Sequence, residues 1–271
     1  MKANPSLSNP KIIRLKELTD LYEQKRYSKS SLINFITLNL NMFFANLDEV
    51  FIEEEILDRV WVNSHDEDSL LGEDCYLGFD LSSTRDITSV SLMFPPTDTN
   101  PKFRFKNFNI KTNNIKNRVR KNGFDLSPFI ESGELVEVDS PTIDYDYIFD
   151  LISGLAERYN ILKVGYDMWS AALLTPKLKN EGLMCEAVSQ SVGGLSGATK
   201  YLEKIIYDED VLIDNALNKW MFGNIRLYFD SNGNVKPMKN KKGCDTIDGV
   251  MAMLNCLSVY LKDINEDKLV F

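Results

Sequence analysis

The feature that most constrains the fold is the order of strand-like and helical segments between Cys75 and the C terminus. Short segments with the apolar or alternating patterns of strands come first, as a group of three. Further strand-like segments then alternate with amphipathic segments of helical spacing, which gives the order β-β-β-α-β-α-β-α. A chain of this kind buries its apolar surface by placing helices on both faces of one sheet. The sequence therefore predicts an α/β fold with a mixed central sheet flanked by helices.

The individual segments follow from their periodicity and from the turn residues that bound them. The predicted strands are residues 75–81, 87–96, 102–110, 134–139, 161–167, 183–189 and a hairpin at 225–238. The predicted helices in this region are residues 145–159, 171–182, 197–207, 215–224 and 247–262. Alternation of basic with aromatic or amide residues predicts that the third strand is half-exposed. The apolar run at 161–167 predicts a strand that is buried on both faces.

Residues 1–70 differ from the rest of the chain and predict a separate helical segment. Helical spacing occurs at 16–25 and again at 30–44, and the acidic stretch 48–58 suits a third, shorter helix. A polar stretch at 64–74 has the composition of a linker. We therefore place a domain boundary near residue 70, between a helical connector (1–70) and an α/β domain (71–271).

Composition excludes several classes of protein. No run approaches the roughly 18 consecutive apolar residues that span a bilayer, and residues 1–15 lack the features of a signal peptide. A single histidine and four widely separated cysteines nearly exclude a Cys/His zinc site. Cysteines without a pairing pattern indicate a reduced intracellular compartment.

Charge is distributed unevenly along the chain. The net charge of −9 argues against a protein that coats nucleic acid through bulk positive charge. However, residues 101–121 contain eight Lys or Arg and no acid, and residues 236–242 contain four lysines and no acid. Residues 45–77, in contrast, contain eleven acidic residues and one arginine. Electrostatic attraction acts locally, so the two basic stretches either bind a polyanion or are solvated faces.

Three aspartates occupy positions where α/β proteins bind ligands. Asp80 and Asp167 each end a predicted strand, and Asp248 lies in the first turn of the C-terminal helix. Ligands bind outside the carboxyl ends of strands in open α/β sheets. The small residues Gly249 and Ala252 would let this helix approach the sheet closely. Each aspartate also has a structural explanation, as a turn residue, a helix N-cap or a carboxylate favoured by the helix dipole.

Taken together, the three carboxylates predict a site for divalent metal ions. Carboxylates that lie close together repel one another, so a cation is needed to keep them ionised. Their hard oxygen ligands favour Mg²⁺ or Mn²⁺ over zinc. Two such ions stabilise both the attacking water and the leaving oxygen in a phosphodiester displacement. The pattern alone leaves this interpretation and the structural one open.

Three longer segments, at residues 76–95, 144–171 and 232–253, resemble the nuclease domain of the tailed-phage terminase large subunit. They match the three acidic segments of that family in order, and residues 4–65 resemble the connector that follows its ATPase motor. The resemblance implies an RNase H-like (retroviral integrase-like) fold. It also implies a metal-dependent endonuclease that cleaves concatemeric viral double-stranded DNA during genome packaging.

The resemblance also assigns roles to individual residues. It implies that Asp80, Asp167 and Asp248 are catalytic and hold two ions, either Mg²⁺ or Mn²⁺. Asp80 would bridge both ions, with Asp167 on one and Asp248 on the other. Asp245 is a candidate auxiliary ligand, although a cap or loop role is the favoured explanation for it. Members of that family often carry Lys two places before the last aspartate, where this chain has Thr246.

The basic residues near the last aspartate gain a role from the same resemblance. Phosphate contacts position a duplex without reading its sequence. The candidate DNA-binding residues are Lys236, Lys239, Lys241, Lys242 and, in the turn after the first strand, Arg85. The aromatic residues Tyr166, Trp169 and Trp220 are interpreted as core or pocket wall in preference to base-stacking platforms, which stay the alternative.

Residues 193–200 (GGLSGATK) are the segment nearest in appearance to a phosphate-binding P-loop. They do not match the motif, because two residues separate the last glycine from the lysine, and we expect no ATPase activity in this chain. The resemblance then implies a nuclease portion that works with an ATPase motor domain, a small terminase subunit and a portal. The expected location is the host cytoplasm, without membrane association.

Two alternatives from other functional classes stay open. One is a non-catalytic docking module of the packaging machine that binds a partner through the acidic segment 46–77. The other is an actin/Hsp70-like nucleotide-binding domain, because residues 78–89 loosely resemble the first phosphate turn of that superfamily. That superfamily needs a second glycine-rich phosphate loop after a later strand, and residues 164–172 offer none.

Overall fold

The structure, a computed structural model, describes residues 15–25, 35, 39, 51–82, 87–113, 125–169, 171–239 and 246–267. Its strands are β1 (Asp74–Asp80), β2 (Thr88–Phe94), β3 (Phe103–Thr112), β4 (Leu135–Val138), β5 (Asn160–Asp167), β6 (Cys185–Val188), β7 (Val211–Ile213), β8 (Ile225–Phe229) and β9 (Val235–Lys239). Its helices are α1 (Leu15–Lys25), α2 (Glu54–Val60), α3 (Ser127–Glu131), α4 (Tyr145–Arg158), α5 (Leu174–Asn180), α6 (Val192–Tyr207), α7 (Ala216–Gly223) and α8 (Asp248–Asp267).

Seven of these strands form one mixed sheet in the order β4-β3-β2-β1-β5-β6, with β7 also paired to β3. Strands β1, β2 and β3 are antiparallel neighbours, and β5 and β6 continue the sheet parallel to β1. Strands β4 and β7 both run parallel to β3, and β8 and β9 form a separate antiparallel hairpin. The predicted fold class, a mixed central sheet flanked by helices, is confirmed.

The two faces of the sheet pack against different helices. Alternate residues of a strand point to opposite faces, and Leu77 and Phe79 of β1 pack in an apolar cluster with α4 and α5. Helix α4 supplies three fully or almost fully buried residues to this cluster, namely Ile148, Ile152 and Leu155. On the other face, Tyr76 belongs to a larger cluster that includes α6, α7 and α8. The central strand is therefore covered on both sides.

Helix α8 lies very close to the sheet because two glycines lie beneath it. Gly78 of β1 and Gly165 of β5 are register partners on neighbouring parallel strands. A Cβ atom at Gly78 would lie 2.2 Å from the carbonyl oxygen of Ala252, and one at Gly165 would lie 2.3 Å from that of Asn255. Since real Cβ atoms do not approach backbone oxygens this closely, the distance between helix and sheet depends on both glycines.

The segment before β1 packs on the same body. Phe51 and Ile52 lie in the larger apolar cluster together with two residues of α2, and Trp61 forms a parallel bridge with Ile213 of β7. Helix α1 confirms the first predicted helix, whereas the acidic helix begins at residue 54, later than expected. The predicted helix at 30–44 lies outside the described residues except at two positions. The domain boundary near residue 70 stays a prediction.

Several expectations about single elements are wrong. Strand β3 is largely buried rather than half-exposed, because Phe103 and Phe105 join one apolar cluster and Ile110 the other. Strand β5 is fully buried only at Val164 and Gly165, because its outer neighbour β6 is a short edge strand. Helix α6 begins at 192 rather than 197, and β7 was not predicted because three residues show no periodicity.

None of the described helices is long and apolar enough to cross a membrane.

Candidate active site

Asp80 and Asp167 lie side by side at one edge of the sheet. They are the last residues of β1 and β5, and the residues just before them, Phe79 and Tyr166, are register partners in parallel strands. Both aspartates lie two positions after the paired glycines, so they point to the face of the sheet that α8 covers. The structure therefore brings two of the three predicted carboxylates to the same edge and the same face.

The third aspartate, Asp248, reaches the same edge from above the sheet. Ala252 of α8 lies over Gly78, whereas Asp263, near the other end of α8, accepts a hydrogen bond from the hydroxyl group of Tyr76 (2.9 Å). Helix α8 therefore runs from the carboxyl end of β1 toward its start. Asp248 lies one helical turn before Ala252, on the Asp80 side of Gly78. The sequence-predicted triad thus shares one face and one edge.

An amide in the middle of α8 fixes this arrangement. Asn255 is almost completely buried, and its Nδ2 donates to the carbonyl oxygen of Phe79 (2.8 Å), the residue before Asp80. Its Oδ1 accepts from Nε2 of Gln190 (3.0 Å), which follows β6. Asn255 therefore joins α8 to the ends of two strands. Sequence reasoning missed it, although an amide inside the apolar stripe of a helix was the signal available.

A row of polar side chains leads across the sheet from Asp80 toward α7. Ser89 is the register partner of Asp80 on β2 and donates its hydroxyl to Oδ1 of Asn109 on β3 (2.6 Å). Nδ2 of Asn109 donates to Oδ1 of Asn218 on α7 (2.7 Å). A Cβ atom at Gly249 would lie 2.4 Å from that same oxygen. Gly249 thus allows α8 to approach α7. The expectation that Gly249 brings this helix close to the sheet is wrong, whereas Ala252 does lie on the sheet.

A second buried carboxyl group lies beside this row. Asp214 follows β7, and its Oδ1 accepts hydrogen bonds from the backbone nitrogen (2.9 Å) and Nδ2 (3.1 Å) of Asn107. Burial raises the pKa of Asp214 to about 7, although the hydrogen bonds from Asn107 and the charge of Lys106 oppose the change. A carboxyl group whose pKa is raised by burial therefore lies beside the polar row.

Two carboxylates of the triad accept hydrogen bonds from nearby donors of the chain. Asp248 accepts from the hydroxyl group of Thr246 and from Nζ of Lys239 (3.1 Å), and Asp167 accepts from the backbone nitrogen of Trp169 (3.1 Å). Within the described ranges, no three His, Cys, Asp or Glu side chains are grouped so that they could hold a metal ion. The backbone places the three aspartates at one edge of the sheet, and their role as a triad that binds metal stays a prediction. Carboxylate oxygens are nevertheless the ligands that Mg²⁺ and Mn²⁺ prefer.

Two of the predicted DNA-binding lysines lie at this edge, on the hairpin strand β9. Nζ of Lys239 contacts Asp248, as described above. Nζ of Lys236 donates to the carbonyl oxygen of Gln190 (2.6 Å), two residues beyond Val188, the register partner of Asp167. Because a carbonyl group is neutral, this contact does not neutralise the positive charge of Lys236. The other candidates lie outside the described residues, namely Lys241, Lys242, Asp245 and Arg85.

The antiparallel unit β1-β2-β3, extended by parallel strands and carrying aspartates at the ends of β1 and β5, defines an RNase H-like nuclease fold. Comparison with known proteins narrows this class. The family described as "Terminase large subunit, endonuclease domain" matches residues 1–263, and the chain belongs to that family. No curated protein sequence matches the chain.

Solved structures of large terminases share this fold. The crystal structure of the HK97 bacteriophage large terminase matches with a TM-score of 0.69 and 19% identity, and covers 95% of this chain and 52% of that one. This chain thus spans about half the length of that protein. The large terminase nuclease from thermophilic phage G20c matches with a TM-score of 0.51, 15% identity and coverage of 78% and 98%. The same nuclease with bound cobalt gives a TM-score of 0.50, 16% identity and coverage of 79% and 98%.

Proposed function

We propose that this chain is a metal-dependent endonuclease that cleaves viral double-stranded DNA by two-metal phosphodiester hydrolysis. The observation that supports the proposal is the backbone placement of Asp80, Asp167 and Asp248 on one face and one edge of the sheet. Membership of the terminase endonuclease family supports it independently. The alternatives of a docking module and an actin/Hsp70-like domain gain no support from a specific contact.

The three aspartates are proposed to hold Mg²⁺ or Mn²⁺, with Asp80 shared between two ions and Asp245 as a candidate auxiliary ligand. The fold relative from phage G20c that was crystallised with cobalt supports the use of a divalent ion. Bound ions would supply the positive charge that a displacement at phosphorus needs on its attacking and leaving oxygens. Asn255 holds α8 against β1 and β6, and so keeps Asp248 at the edge where Asp80 and Asp167 end.

The lysines are proposed to hold the DNA backbone. Lys239 lies beside Asp248, so a phosphate that it binds would lie at the carboxylates, and Lys236 extends the positive charge along the ends of β5 and β6. Lys241, Lys242 and Arg85 are further candidates for the same role. Because these contacts reach phosphates, we expect them to contribute affinity with little sequence preference.

The wider role is proposed from the family. The substrate would be concatemeric viral DNA during genome packaging in the host cytoplasm. In the complete protein, the partners would be the ATPase motor domain, the small terminase subunit and the portal. This chain spans about half the length of the HK97 large terminase. A helical connector at 1–70 would join the nuclease domain at 71–271 to such a motor.

The test is cleavage of supercoiled plasmid DNA in Mn²⁺ by the wild-type chain and by Asp80→Asn. We expect this substitution to lower the cleavage rate by about 100-fold or more. Even the substitution of a residue that only hydrogen-bonds to a metal ligand lowers metal affinity or activity by about 10–100-fold, and Asp80 is proposed to be a ligand itself. Asp150→Asn is the matched control, because Asp150 is exposed on α4, which packs on the opposite face. It should cleave like wild type.

Metal binding gives a second readout of the same proposal. Mn²⁺ bound to the wild-type chain, measured by electron paramagnetic resonance, should fall with Asp80→Asn and stay unchanged with Asp150→Asn. Unfolding curves for each variant separate a lost ligand from a lost fold. Equal cleavage and equal Mn²⁺ binding in all three proteins would contradict the proposal.

A further inference from the structure

The loop between β5 and α5 exposes large apolar side chains next to the candidate active site. Trp169 is 89% exposed, and its neighbours Met168 and Leu173 are 63% and 68% exposed. The interpretation of Trp169 as core or pocket wall is therefore wrong. Burying an apolar side chain normally stabilises a protein, and clustered exposed apolar residues mark interaction sites. This set of residues, Met168, Trp169 and Leu173, is called the apolar loop below.

The apolar loop is attached to the candidate site by its own backbone. Asp167 ends β5, and its Oδ1 accepts a hydrogen bond from the backbone nitrogen of Trp169 (3.1 Å). Two peptide units separate these residues, so their Cα atoms are at most about 7.6 Å apart. The indole group of Trp169 is therefore held within a few base-pair steps of any phosphate that lies at Asp167, because base pairs rise about 3.4 Å each.

The far end of the apolar loop is anchored as well. Ala171 and Leu174 are fully buried in the apolar cluster of α4 and α5. Thr175 donates its hydroxyl to the carbonyl oxygen of Ala171 (2.9 Å), which fixes the start of α5. The exposed side chains are thus presented between two fixed ends, which favours binding because less conformational freedom is lost.

We propose that the apolar loop is a DNA-contacting surface, with the indole of Trp169 wedged against bases beside the phosphate that is cut. This inference rests on the proposed function. Two observations select DNA as the occupant. The loop continues directly from Asp167, and Lys236 at the same edge supplies complementary charge for a phosphate, because the carbonyl group of Gln190 that it contacts is neutral. Apolar side chains that enter a groove partly unstack a base step, and phosphate contacts alone do not.

The inference has a consequence for where the enzyme cuts. Pyrimidine–purine steps unstack more easily than other steps. A wedge at Trp169 should therefore favour cuts close to such steps, although the lysines read no sequence. The distribution of cut sites on a long duplex should become more even in Trp169→Ala.

The decisive experiment measures DNA binding without cleavage. The full chain carrying Asp80→Asn is titrated with a labelled duplex of about 30 base pairs, and Trp169→Ala is added to that background. We expect the affinity to fall about fivefold to 100-fold, the range seen when an aromatic side chain that stacks on a base is truncated. Trp169→Phe should keep most of the affinity, because it retains an aromatic ring.

The matched control is Tyr147→Ala in the same background. Tyr147 is an exposed aromatic residue (39%) on α4, which packs on the opposite face of the sheet. Its removal should change the affinity by less than about twofold. Intrinsic fluorescence adds a direct reading, since DNA should quench the parent protein and quench Trp169→Phe much less.

The outcomes separate this inference from the proposed function. Weakened binding by Trp169→Ala supports the inference even if the wild-type chain does not cleave DNA. Wild-type cleavage together with unchanged binding by Trp169→Ala overturns the inference and leaves the nuclease proposal standing. A change in oligomeric state with unchanged DNA affinity also overturns it, because the apolar loop would then bind another protein chain.

Discussion

The two faces of strand β1 differ in what their side chains do. On the face toward α4, Leu77 and Phe79 fill an apolar cluster. On the face toward α8, Gly78 has no side chain and Asp80 carries a carboxylate. Neighbouring strands continue the contrast, because Ser89 and its hydrogen-bonded partner Asn109 lie on the α8 face.

This difference shows how one sheet separates stability from function. The α4 face gains its stability from apolar area removed from water. The α8 face replaces side chains with glycine, so that a helix backbone lies on the strands and brings Asp248 to the strand ends. Buried polar groups on that face are tolerated because they are hydrogen-bonded to one another, as in Asn109 and Asn218.

The largest expected effect comes from filling the gap beneath α8. We expect Gly78→Ala to lower the free energy of unfolding by at least about 3 kcal/mol, at or above the upper end of the usual cost of overpacking, because the new Cβ atom meets backbone atoms of α8 that cannot rotate away. Cleavage should be lost as well, because Asp248 moves with the helix. Urea unfolding and the plasmid assay measure the two effects.

The control for this change is Gly154→Ala in α4. A Cβ atom at Gly154 would meet no neighbouring group within 4 Å, so alanine there should raise the free energy of unfolding by up to about 1 kcal/mol through helix propensity. Similar destabilisation by both substitutions would contradict the close approach of α8 to the sheet.

A smaller effect, confined to stability, is expected on the α4 face. Ile152→Ala should lower the free energy of unfolding by about 3 kcal/mol, because Ile152 is fully buried and its truncation leaves a cavity. The folded fraction should still cleave DNA at the wild-type rate, and Ile152→Val should cost about 1 kcal/mol. If the folded fraction of Ile152→Ala cleaves much more slowly, the separation of the two faces is wrong.

The smallest expected effect concerns the pH dependence of stability on the α8 face. Because the pKa of Asp214 is raised to about 7, the folded protein keeps a proton that the unfolded chain has released above about pH 4. The stability from this group is therefore present at low pH and is lost as the pH rises toward 7. Between about pH 5 and pH 7 the loss should be about 2 kcal/mol.

Asp214→Asn isolates this contribution. The free energy of unfolding of the variant, measured in urea at both pH values, should lack the part of the decline that belongs to Asp214. Asp150→Asn, at an exposed position on α4, should leave the decline unchanged. Identical pH profiles for wild type and Asp214→Asn would show that the group does not titrate in this range.

Local patterns predicted most of the elements and the candidate triad. The strand that ends at Asp80, the strand that ends at Asp167 and the helix that starts at Asp248 all have clear periodicity, and their ends mark the site. The same patterns failed for β7, which is too short, and for the start of α6, where Gly193 and Gly194 have low helix propensity.

Exposure and long-range contacts were not predictable in the same way. Trp169 has the apolar character of a core residue, yet its side chain points to solvent because the loop that carries it lies beyond the sheet edge. Asn255 contacts residues far away in the sequence, so the amide in an apolar helix marks a buried polar residue without showing which strands it joins.

The sequence alone determined most of the strands and helices and which residue types could bind a divalent ion, because periodicity and side-chain chemistry are local properties. Only the tertiary structure decided that Asp80, Asp167 and Asp248 share one edge, that glycines let α8 lie on the sheet, and that Trp169 faces solvent. These facts depend on strand order and helix direction, which arise from contacts between residues that are distant in the chain.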